Sequence, residues 1–520
     1  MKRLIAVFLA LAVMLTGFSL SAFAKDEVTP VIIVSGVGTR PFCMDRGTES
    51  EKQVFPPSTV DIEYILTTAV TGIAKAAVTG NMADFSQAVA NVVSNIFEEF
   101  KCDENGNSKY NVTAQTYPLS LDNYDLDYTN DAPEIQIASA VANEIGGENT
   151  FFYNYDWRLD PCANADGLDN MVKYVKAQTG EDKVVLIPCS MGGVQTIAYL
   201  EKYGNDDIDS IIFMSAAHRG LYFVSELFTG SVSITQKDLF NFLSLLIRVP
   251  DENADDLISL LFSDLGETPY LSGLFGLVDD LLQGLNDENL WGALREVFGR
   301  FPGMWAFVRD EYYEEALEFM TDENTSPVLL EKIRYYHDNV GSKNDEILTR
   351  AKADGVKISI CSHYGRGSVP VTPMACLEGD NLIETACTSN GATVAFVGET
   401  LGEDYVQAVD CGHNHLSADG KVDASTCLFP ESTWFIDGQS HVGVFCNGEE
   451  FNDYADLVVW LATSEKQPTV HDNPAFPQFT KAVGENNDLE PIVENDDPAD
   501  YFSVITALIY SVIKYVISLI

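Results

Sequence analysis

The chain has 520 residues, of which 46% are hydrophobic and 11% aromatic, so it can bury a large core. Its 78 acidic residues outnumber the 31 basic ones and leave a formal net charge of −47. A surface this acidic repels nucleic acid and anionic lipid, which argues against DNA or RNA binding and predicts no nucleic-acid partner.

Residues 1–24 have the pattern of an export signal. The basic residues Lys2 and Arg3 precede an apolar stretch, and the small residues Ala22 and Ala24 mark a cleavage site. We therefore predict a signal peptide over 1–24 and a secreted or cell-surface protein. The alternative is a retained anchor, although the apolar stretch is shorter than the roughly 20 residues that span a bilayer.

The ten cysteines permit disulfides if the chain is exported. Cys411 and Cys427, or Cys376 and Cys387, are close enough in sequence to close local loops. Spacing alone does not assign the pairs, so the pairing stays open.

Strands alternate with helices between residues 25 and 220. The run "VTPVIIVSGVGTRPF" predicts a buried strand that ends in a glycine turn, and "NTFFYNYDWRLDP" and "IDSIIFMSAAHRG" predict two more strands. Helices are expected over 134–145 and 167–178. This alternation predicts an α/β fold with a mostly parallel central sheet flanked by helices, and 25–220 is its first part.

Helical patterns replace this alternation from 221 to 344, for example in "DLFNFLSLLIRV" and "LVDDLLQGL". Functional insertions collect in the loops that leave such sheets, so we predict an inserted helical cap over 221–344. The second part of the core is expected over 345–480. It contains the strand "GVKISICSHYG", a last strand in "TVAFVGE" and a closing helix over 454–462.

The end of the chain differs in character from the core. Residues 481–500 are acidic and predict a linker, and 501–520 predict an apolar C-terminal helix. This helix could lie in a membrane interface as a peripheral contact, span the membrane marginally, or dock on the cap. Lys514, near its middle, argues against simple spanning.

The stretch "VVLIPCSMGGVQTIAYL" joins a strand to a helix through a turn with Ser190 at its apex. A sharp turn of this type presents a serine hydroxyl as a nucleophile, although Pro188 occupies the first glycine position of the usual G-x-S-x-G pattern. The amide of Met191, directly after the serine, is predicted to donate to an oxyanion. We predict a second donor at Val37, in the loop "SGVGTRPF", with Gly38 in contact with the substrate. A plain tight turn is the alternative for this loop.

The general base is expected late in the chain, because in sheets of this type the order is serine, acid, histidine. His441 is the best placed histidine, in a loop after the last predicted strand, and His218 is its main rival. His363, His413 and His415 are placed in polar loops. The last two form only a weak two-ligand pattern, so we predict no metal and no cofactor.

The predicted acid is Asp380, in a turn that glycine precedes and an apolar pair follows. A carboxylate in a loop at a strand end can orient the imidazole without being lost in solvent. Glu378, Asp410 and Asp437 are the competing carboxylates.

Several motifs together resemble a known family. They are "YDWRLDP" at Tyr155–Pro161, "SMGG" after the nucleophile strand, "HYGRGSVPVTP" at His363–Pro373, "GDNLI" with Asp380, and the late His441. In this order they resemble the lecithin:cholesterol acyltransferases and lysosomal phospholipases, which are α/β-hydrolases. The resemblance spans most of residues 31–445.

The resemblance implies an α/β-hydrolase fold and a serine hydrolase that acts on acyl esters, with lipids as the expected substrates. Ser190, Asp380 and His441 match its catalytic triad. It also implies that Trp157 lines the acyl pocket, and the alternative for this residue is a place in the core.

We therefore predict a secreted lipase, esterase or phospholipase that works through an acyl-enzyme. An acyltransferase is the alternative, because it differs only in the alcohol that accepts the acyl group. A non-catalytic lipid- or surface-binding protein on a hydrolase scaffold is the alternative of another class. An amidase or peptidase would use the same triad.

Overall fold

A computed structural model describes residues 28–38, 40–56, 83–126, 132–231, 288–368, 372–484 and 486–493. The predicted signal peptide, the predicted C-terminal helix and the middle of the predicted cap lie outside these residues. No helix within the described ranges is both long enough and apolar enough to cross a membrane.

The strands are short, and most belong to one sheet. In chain order they are β1 Val31–Val34, β2 Phe42–Met44, β3 Lys52–Phe55, β4 Val112–Ala114, β5 Thr150–Tyr153, β6 Val184–Pro188, β7 Ile208–Met214, β8 Lys357–Tyr364, β9 Thr393–Val394, β10 Val422–Asp423, β11 Thr433–Asp437, β12 Cys446–Asn447, β13 Glu450–Phe451, β14 Phe479–Val483 and β15 Asp488–Pro491.

Along the chain, the helices lie mainly between one strand of the central sheet and the next. They are Ala83–Ile96, Pro133–Ile145, Pro161–Thr179, Gly192–Tyr203, Tyr222–Phe228, Glu288–Val297, Pro302–Trp305, Tyr313–Met320, Pro327–Asn339, Asn344–Ala353, Thr385–Thr388 and Asp453–Thr463. Short 3-10 turns occur at Glu98–Phe100, Leu121–Asn123, Gly147–Asn149, Phe298–Arg300, Asp310–Tyr312, Gly341–Lys343, Pro373–Cys376, Ala424–Thr426 and Pro430–Ser432.

The central sheet has the order β15-β14-β11-β8-β7-β6-β1-β5. Its strands run parallel except β15, which pairs antiparallel with β14 at one edge. The apolar runs of β1 and β6 are fully buried, as expected for strands that are covered on both faces. The α/β fold class, with a mostly parallel sheet flanked by helices, is confirmed.

Alternate residues of each strand serve two different cores, because successive side chains point to opposite faces. In β1, Ile32 and Val34 pack in the core that includes the helices Pro161–Thr179 and Gly192–Tyr203. Val31 and Ile33 pack in the other core, with the helices Pro133–Ile145 and Asp453–Thr463. The sheet is therefore a middle layer that fixes the loops at its carboxyl edge.

The last part of the sheet differs from the sequence expectation. The predicted last strand "TVAFVGE" contributes only β9, which pairs with β10 outside the central sheet. The strand that follows β8 in the sheet is β11, which the sequence analysis missed. Periodicity cannot distinguish a short apolar run in a strand from one in a loop, and here the buried β11 was the true strand.

The predicted linker over 481–500 is also wrong in its first half, because β14 ends within it and β15 lies inside it. Leu489 is buried, and its amide donates to Asp453 Oδ2 at 3.0 Å. The acidic residues of this segment misled the sequence analysis, because an edge strand has one exposed side that tolerates charge.

All ten cysteines lie within the described ranges, and no disulfide joins any two of them in this structure. Neither of the two suggested local disulfides is present in this structure. Cys411 is exposed whereas Cys427 is buried, and Cys387 is buried with its thiol beside Arg309.

Candidate active site

Ser190 lies at the apex of a strained turn between β6 and the helix Gly192–Tyr203. Its φ is 51°, in the left-handed region that non-glycine residues rarely adopt. The Ser190 amide donates to the Met214 carbonyl at 3.1 Å, and the Ala217 amide donates to the Ser190 carbonyl at 2.9 Å. The turn is thus held from the neighbouring strand β7, which stabilises a conformation that is costly by itself.

The residues around Ser190 allow close backbone packing. A Cβ at Gly192 would lie 2.2 Å from the Val34 carbonyl oxygen, so only glycine fits there. Pro188 pairs with Val34 at the end of β6, and the next amide, of Cys189, donates to the Val34 carbonyl at 2.9 Å. Proline in place of the usual glycine is therefore accommodated at the end of the strand.

A chain of hydrogen bonds joins the serine to an imidazole and a carboxylate. His441 Nε2 lies 2.9 Å from Ser190 Oγ, and His441 Nδ1 lies 2.8 Å from Asp380 Oδ2. The His441 backbone amide also donates to the Asp380 carbonyl at 2.6 Å. The structure thus brings together the three residues that the sequence analysis selected, from segments 61 and 251 residues apart.

Backbone amides orient the Asp380 carboxylate. Its Oδ1 accepts hydrogen bonds from the amides of Leu382 at 3.0 Å and Ile383 at 2.7 Å, and its side chain is fully buried. Burial raises the pKa of Asp380, but His441 and the Ile383 amide stabilise the carboxylate and hold its pKa below the usual value. Asp380 therefore stays ionised beside the imidazole.

The competing residues lie elsewhere. His218 is buried against Phe213, with ring centroids 4.2 Å apart, and burial lowers its pKa to about 3. Glu378 is buried and accepts a hydrogen bond from the Gly365 amide at 2.7 Å. Asp437 is also close to Gly365, and Asp410 is exposed.

The loop after β1 passes directly over the serine. A Cβ at Gly36 would lie 2.7 Å from Ser190 Cβ, and Val37 lines the small cavity at Ser190. Gly38, with a φ of 75°, lies against Phe55. Met191 caps the helix Gly192–Tyr203, and the first amides of a helix have no partner within it. Both predicted oxyanion donors therefore flank Ser190.

The cavity at Ser190 measures about 60 Å³. Its lining includes polar groups that the sequence analysis missed, namely Glu134, Ser215, His363 and Tyr454. A larger cavity of about 570 Å³ is lined by residues of the cap region such as Glu288 and Met320. Its lining does not include Ser190, His441 or Asp380.

Glu134 is the first of these missed residues. It lies in the first turn of the helix Pro133–Ile145, where its Oε1 accepts a hydrogen bond from the Gly36 amide at 3.3 Å. In sequence it is an ordinary acidic residue at a helix start, where it interacts favourably with the helix dipole. Nothing local could have indicated that it approaches the serine.

His363 was wrongly placed in a polar loop, because it is buried at the end of β8. Its Nδ1 lies 3.0 Å from Ser215 Oγ, and its Nε2 contacts the Tyr454 hydroxyl. Burial lowers the pKa of His363 to about 4, so the ring is neutral near pH 7. The apolar run "KISICSHY" continues through this residue and was the available signal.

Trp157 is buried in an aromatic cluster. Its ring lies within 6.3 Å, centroid to centroid, of Phe42, Phe55, Phe100 and Phe301. It is absent from the lining of the cavity at Ser190. Trp157 therefore packs between the first loop and the cap region in this structure.

The chain matches no known family profile and no curated protein. Solved structures do match it, and one of them is the crystal structure of the Tle4-Tli4 complex. The identity is 12%, the match covers 94% of this chain and 98% of that chain, and the TM-score is 0.27. So low a TM-score supports no functional conclusion.

The pH dependence of any reaction at this site should follow His441. Burial lowers the pKa of His441, but the Asp380 carboxylate and Glu134 raise it above its usual value of about 6.5. We expect kcat/KM to fall as the pH drops through this raised pKa, because a general base must be neutral. Glu134→Gln should move the midpoint to lower pH, since it removes a negative charge that stabilises the imidazolium. Measured pH–rate profiles check this.

The control for that experiment is Glu144→Gln, an exposed change near the end of the same helix. Its midpoint should equal that of the wild type. A Glu134→Gln profile with an unchanged midpoint, whatever its height, would refute the electrostatic role of Glu134.

Glu384 links the Asp380 loop to the predicted cap. Its carboxylate accepts hydrogen bonds from the amides of Tyr222 at 3.1 Å and Phe223 at 3.3 Å, at the start of the helix Tyr222–Phe228. Burial raises its pKa to about 7. The folded protein therefore binds the Glu384 proton more tightly than the unfolded chain does. The protonated group stabilises the folded state below pH about 4.5, and this contribution is lost as the pH rises toward 7.

Between pH 4.5 and 7.5 the wild type should lose unfolding free energy as Glu384 ionises. We expect this loss to be smaller in Glu384→Gln by on the order of 2–3 kcal/mol. Glutamine does not ionise, and it keeps an oxygen acceptor for one of the two amides. Urea unfolding at several pH values measures the effect, with the exposed Glu346→Gln as control. Parallel pH profiles for wild type and Glu384→Gln would contradict the raised pKa.

Proposed function

We propose that the protein is a secreted serine hydrolase of the α/β-hydrolase type that cleaves acyl esters. The observation that carries this proposal is the hydrogen-bonded chain from Ser190 Oγ through His441 to Asp380, at 2.9 and 2.8 Å. Its geometry matches the requirements of a nucleophile, a general base and a residue that orients the base.

In the proposed reaction His441 Nε2 takes the proton of Ser190 as the hydroxyl attacks the ester carbonyl. The amides of Met191 and Val37 donate hydrogen bonds to the oxygen that becomes negative. His441 then returns the proton to the leaving alcohol, and Asp380 stabilises the imidazolium throughout. Water, activated by the same imidazole, hydrolyses the acyl-enzyme and regenerates the serine.

The surroundings of the serine support an apolar acyl group. Large apolar side chains are exposed next to Ser190, His441 and Asp380. Val442, directly after His441, is 60% exposed. Val37, in the loop beside Ser190, and Leu382, in the turn beside Asp380, are also exposed. Val37 and Val442 line the same cavity as Ser190, and exposed apolar groups that share a cavity are typical of a surface that binds an apolar ligand.

The lipid class is the finer part of the proposal. It is supported by the resemblance of "YDWRLDP" and "GDNLI" to lecithin:cholesterol acyltransferases and lysosomal phospholipases, and by the apolar residues around Ser190. Export is supported by the pattern of residues 1–24, and peripheral membrane contact by the apolar residues 501–520. Transfer of the acyl group to an alcohol would use the same acyl-enzyme.

The test is covalent labelling combined with turnover. A fluorophosphonate probe should label wild-type protein once, at the peptide that contains Ser190, and should not label Ser190→Ala. p-Nitrophenyl esters of increasing chain length and phosphatidylcholine micelles then define the substrate, with fatty acids and acyl esters identified by mass spectrometry. Wild-type protein that neither labels nor releases product faster than Ser190→Ala would favour the non-catalytic binding protein.

A further inference from the structure

A second group of reactive side chains lies away from Ser190. It consists of Cys411, His413, His415, Glu431 and His471, and we call it the histidine cluster. Glu431 lies two residues before β11 and His441 lies four residues after it, so the two sites lie at opposite ends of that strand. The thiol, imidazole and carboxylate atoms of the first four residues all lie within 4.8 Å of one another.

Glu431 is the centre of the histidine cluster. Its Oε1 lies 2.6 Å from His413 Nδ1 and 3.2 Å from His415 Nε2, and its Oε2 lies 2.9 Å from His471 Nε2. Three imidazoles therefore approach a single carboxylate. Such a convergence requires protons or a cation between the nitrogen and oxygen atoms, because lone pairs that face each other repel.

The hydrogen bonds of Gln478 determine which nitrogen of His415 carries a proton. The Gln478 amide group donates to the carbonyls of Pro430 at 2.7 Å and Thr433 at 3.1 Å, so its oxygen faces the imidazole. That oxygen lies 2.7 Å from His415 Nδ1, which must be the protonated nitrogen. Nε2 of the neutral ring then directs a lone pair at Glu431.

This arrangement is the one that metal-binding histidines adopt. A ligating imidazole donates its other N–H to a side-chain or backbone oxygen, which fixes the tautomer and aims the free nitrogen at the ion. His415 is fully buried, and its ring lies between the Gln478 oxygen and the Glu431 carboxylate. A cation bound between Nε2 and Glu431 Oε1 would remove the repulsion between these two atoms, which are 3.2 Å apart.

We propose that Cys411, His413, His415 and Glu431 bind one zinc ion. Nitrogen and sulfur ligands favour zinc over calcium or magnesium, which prefer oxygen, and four protein ligands make a closed, structural site. Ligand atoms around tetrahedral zinc lie about 3.3–3.8 Å apart, for bonds of about 2.0–2.3 Å. The present distances run from 2.6 Å, between His413 Nδ1 and Glu431 Oε1, to at most 4.8 Å, and small rotations of the exposed Cys411 and His413 side chains would bring them to this spacing.

The chain around these residues holds three of them on one short segment. The sequence is Cys-Gly-His-Asn-His, with the ligands at alternate positions. Gln407 orders this segment, because its side chain accepts from the His415 amide at 2.7 Å and donates to the His413 carbonyl at 3.0 Å. In the sequence His413 and His415 form only a weak two-ligand pattern that predicts no metal, because Glu431 lies 16 residues beyond His415.

Zinc in the histidine cluster would tie the 411–415 segment to the start of β11. His471 would hold the second oxygen of Glu431 from the segment that leads to β14. The ion would therefore stiffen the strand whose other end carries His441, without taking part in chemistry at Ser190. This role is independent of the proposed hydrolase activity.

The test uses the full chain, purified without a histidine tag and freed of metal with a chelator. Titration with Zn²⁺, read by metal analysis and calorimetry, should give one ion per chain and a higher Tm. Cys411→Ser and His413→Asn should each weaken zinc binding at least about 10-fold and reduce the Tm gain. Both positions are exposed, so these changes leave the core intact. Cys376→Ser and His337→Asn are the matched controls and should bind zinc like the wild type.

Cobalt substitution gives a second readout. Co²⁺-loaded wild type should show tetrahedral d–d bands and a thiolate charge-transfer band, and Cys411→Ser should lose the charge-transfer band. The proposal is overturned if the wild type binds no stoichiometric zinc. It is equally overturned if both Cys411→Ser and His413→Asn bind zinc as tightly as the controls.

Discussion

Ser190→Ala and Asp380→Asn are expected to lower kcat/KM for a p-nitrophenyl ester by about 10⁴- to 10⁶-fold, without a comparable loss of stability. Alanine removes the attacking oxygen. Asparagine keeps the shape of Asp380 but offers an amide to His441 Nδ1, 2.8 Å away, so the imidazole loses the carboxylate that stabilises its charged form. Steady-state kinetics and Tm measurements check both expectations.

The controls are Ser50→Ala and Asp338→Asn, which change an exposed serine and an exposed aspartate in other parts of the fold. Both should hydrolyse the ester at the wild-type rate. If Ser190→Ala kept full activity, the reaction would not pass through this serine, and the proposed hydrolase mechanism would be wrong.

The second large effect is expected at the turn that carries Ser190. In Gly192→Ala the new Cβ would meet the Val34 carbonyl oxygen at 2.2 Å, and a backbone atom of a central strand cannot move aside cheaply. We expect a loss of about 1–3 kcal/mol or more in unfolding free energy. We also expect at least about a 10-fold loss of kcat, because moving the turn shifts Ser190 from His441. Denaturant unfolding and ester hydrolysis measure the two effects.

Gly292→Ala is the matched control for this change. Gly292 is an exposed residue of the helix Glu288–Val297, and a Cβ there meets no atom within 4 Å. Alanine should therefore stabilise the helix by about 0.5–1 kcal/mol, because it restricts the unfolded chain more than glycine does. If Gly192→Ala and Gly292→Ala had equal unfolding free energies, the turn at Ser190 would accommodate the new Cβ without cost, against this prediction.

The sequence was sufficient to predict those elements whose conformation depends on neighbouring residues. The apolar runs in β1, β6 and β7 predict buried strands because they are long, continuous and bounded by turn residues. The turn at Ser190 was also recognisable, since glycines directly after a serine allow the strand to pass tightly into a helix. Sequence order then selected Asp380 and His441 as candidates from among many acids and several histidines.

Other features needed the assembled sheet. β11 was not recognised as a strand and β15 lies in the predicted linker, and it is the pairing of β11 with β8 and of β15 with β14 that makes them strands. His363 is buried and neutral because β8 ends beneath the Asp453–Thr463 helix, where the Tyr454 hydroxyl meets its ring. A short segment carries too little apolar pattern to predict such pairing.

By itself, then, the sequence determined the fold class, the strained serine turn and an ordered set of candidate partners, because these depend on neighbouring residues. Tertiary structure alone decided that Glu134 approaches Ser190 and that Glu431 joins His413 and His415 in one cluster. These contacts join segments far apart in the chain, and their free energy comes from packing a whole sheet, which no local pattern records.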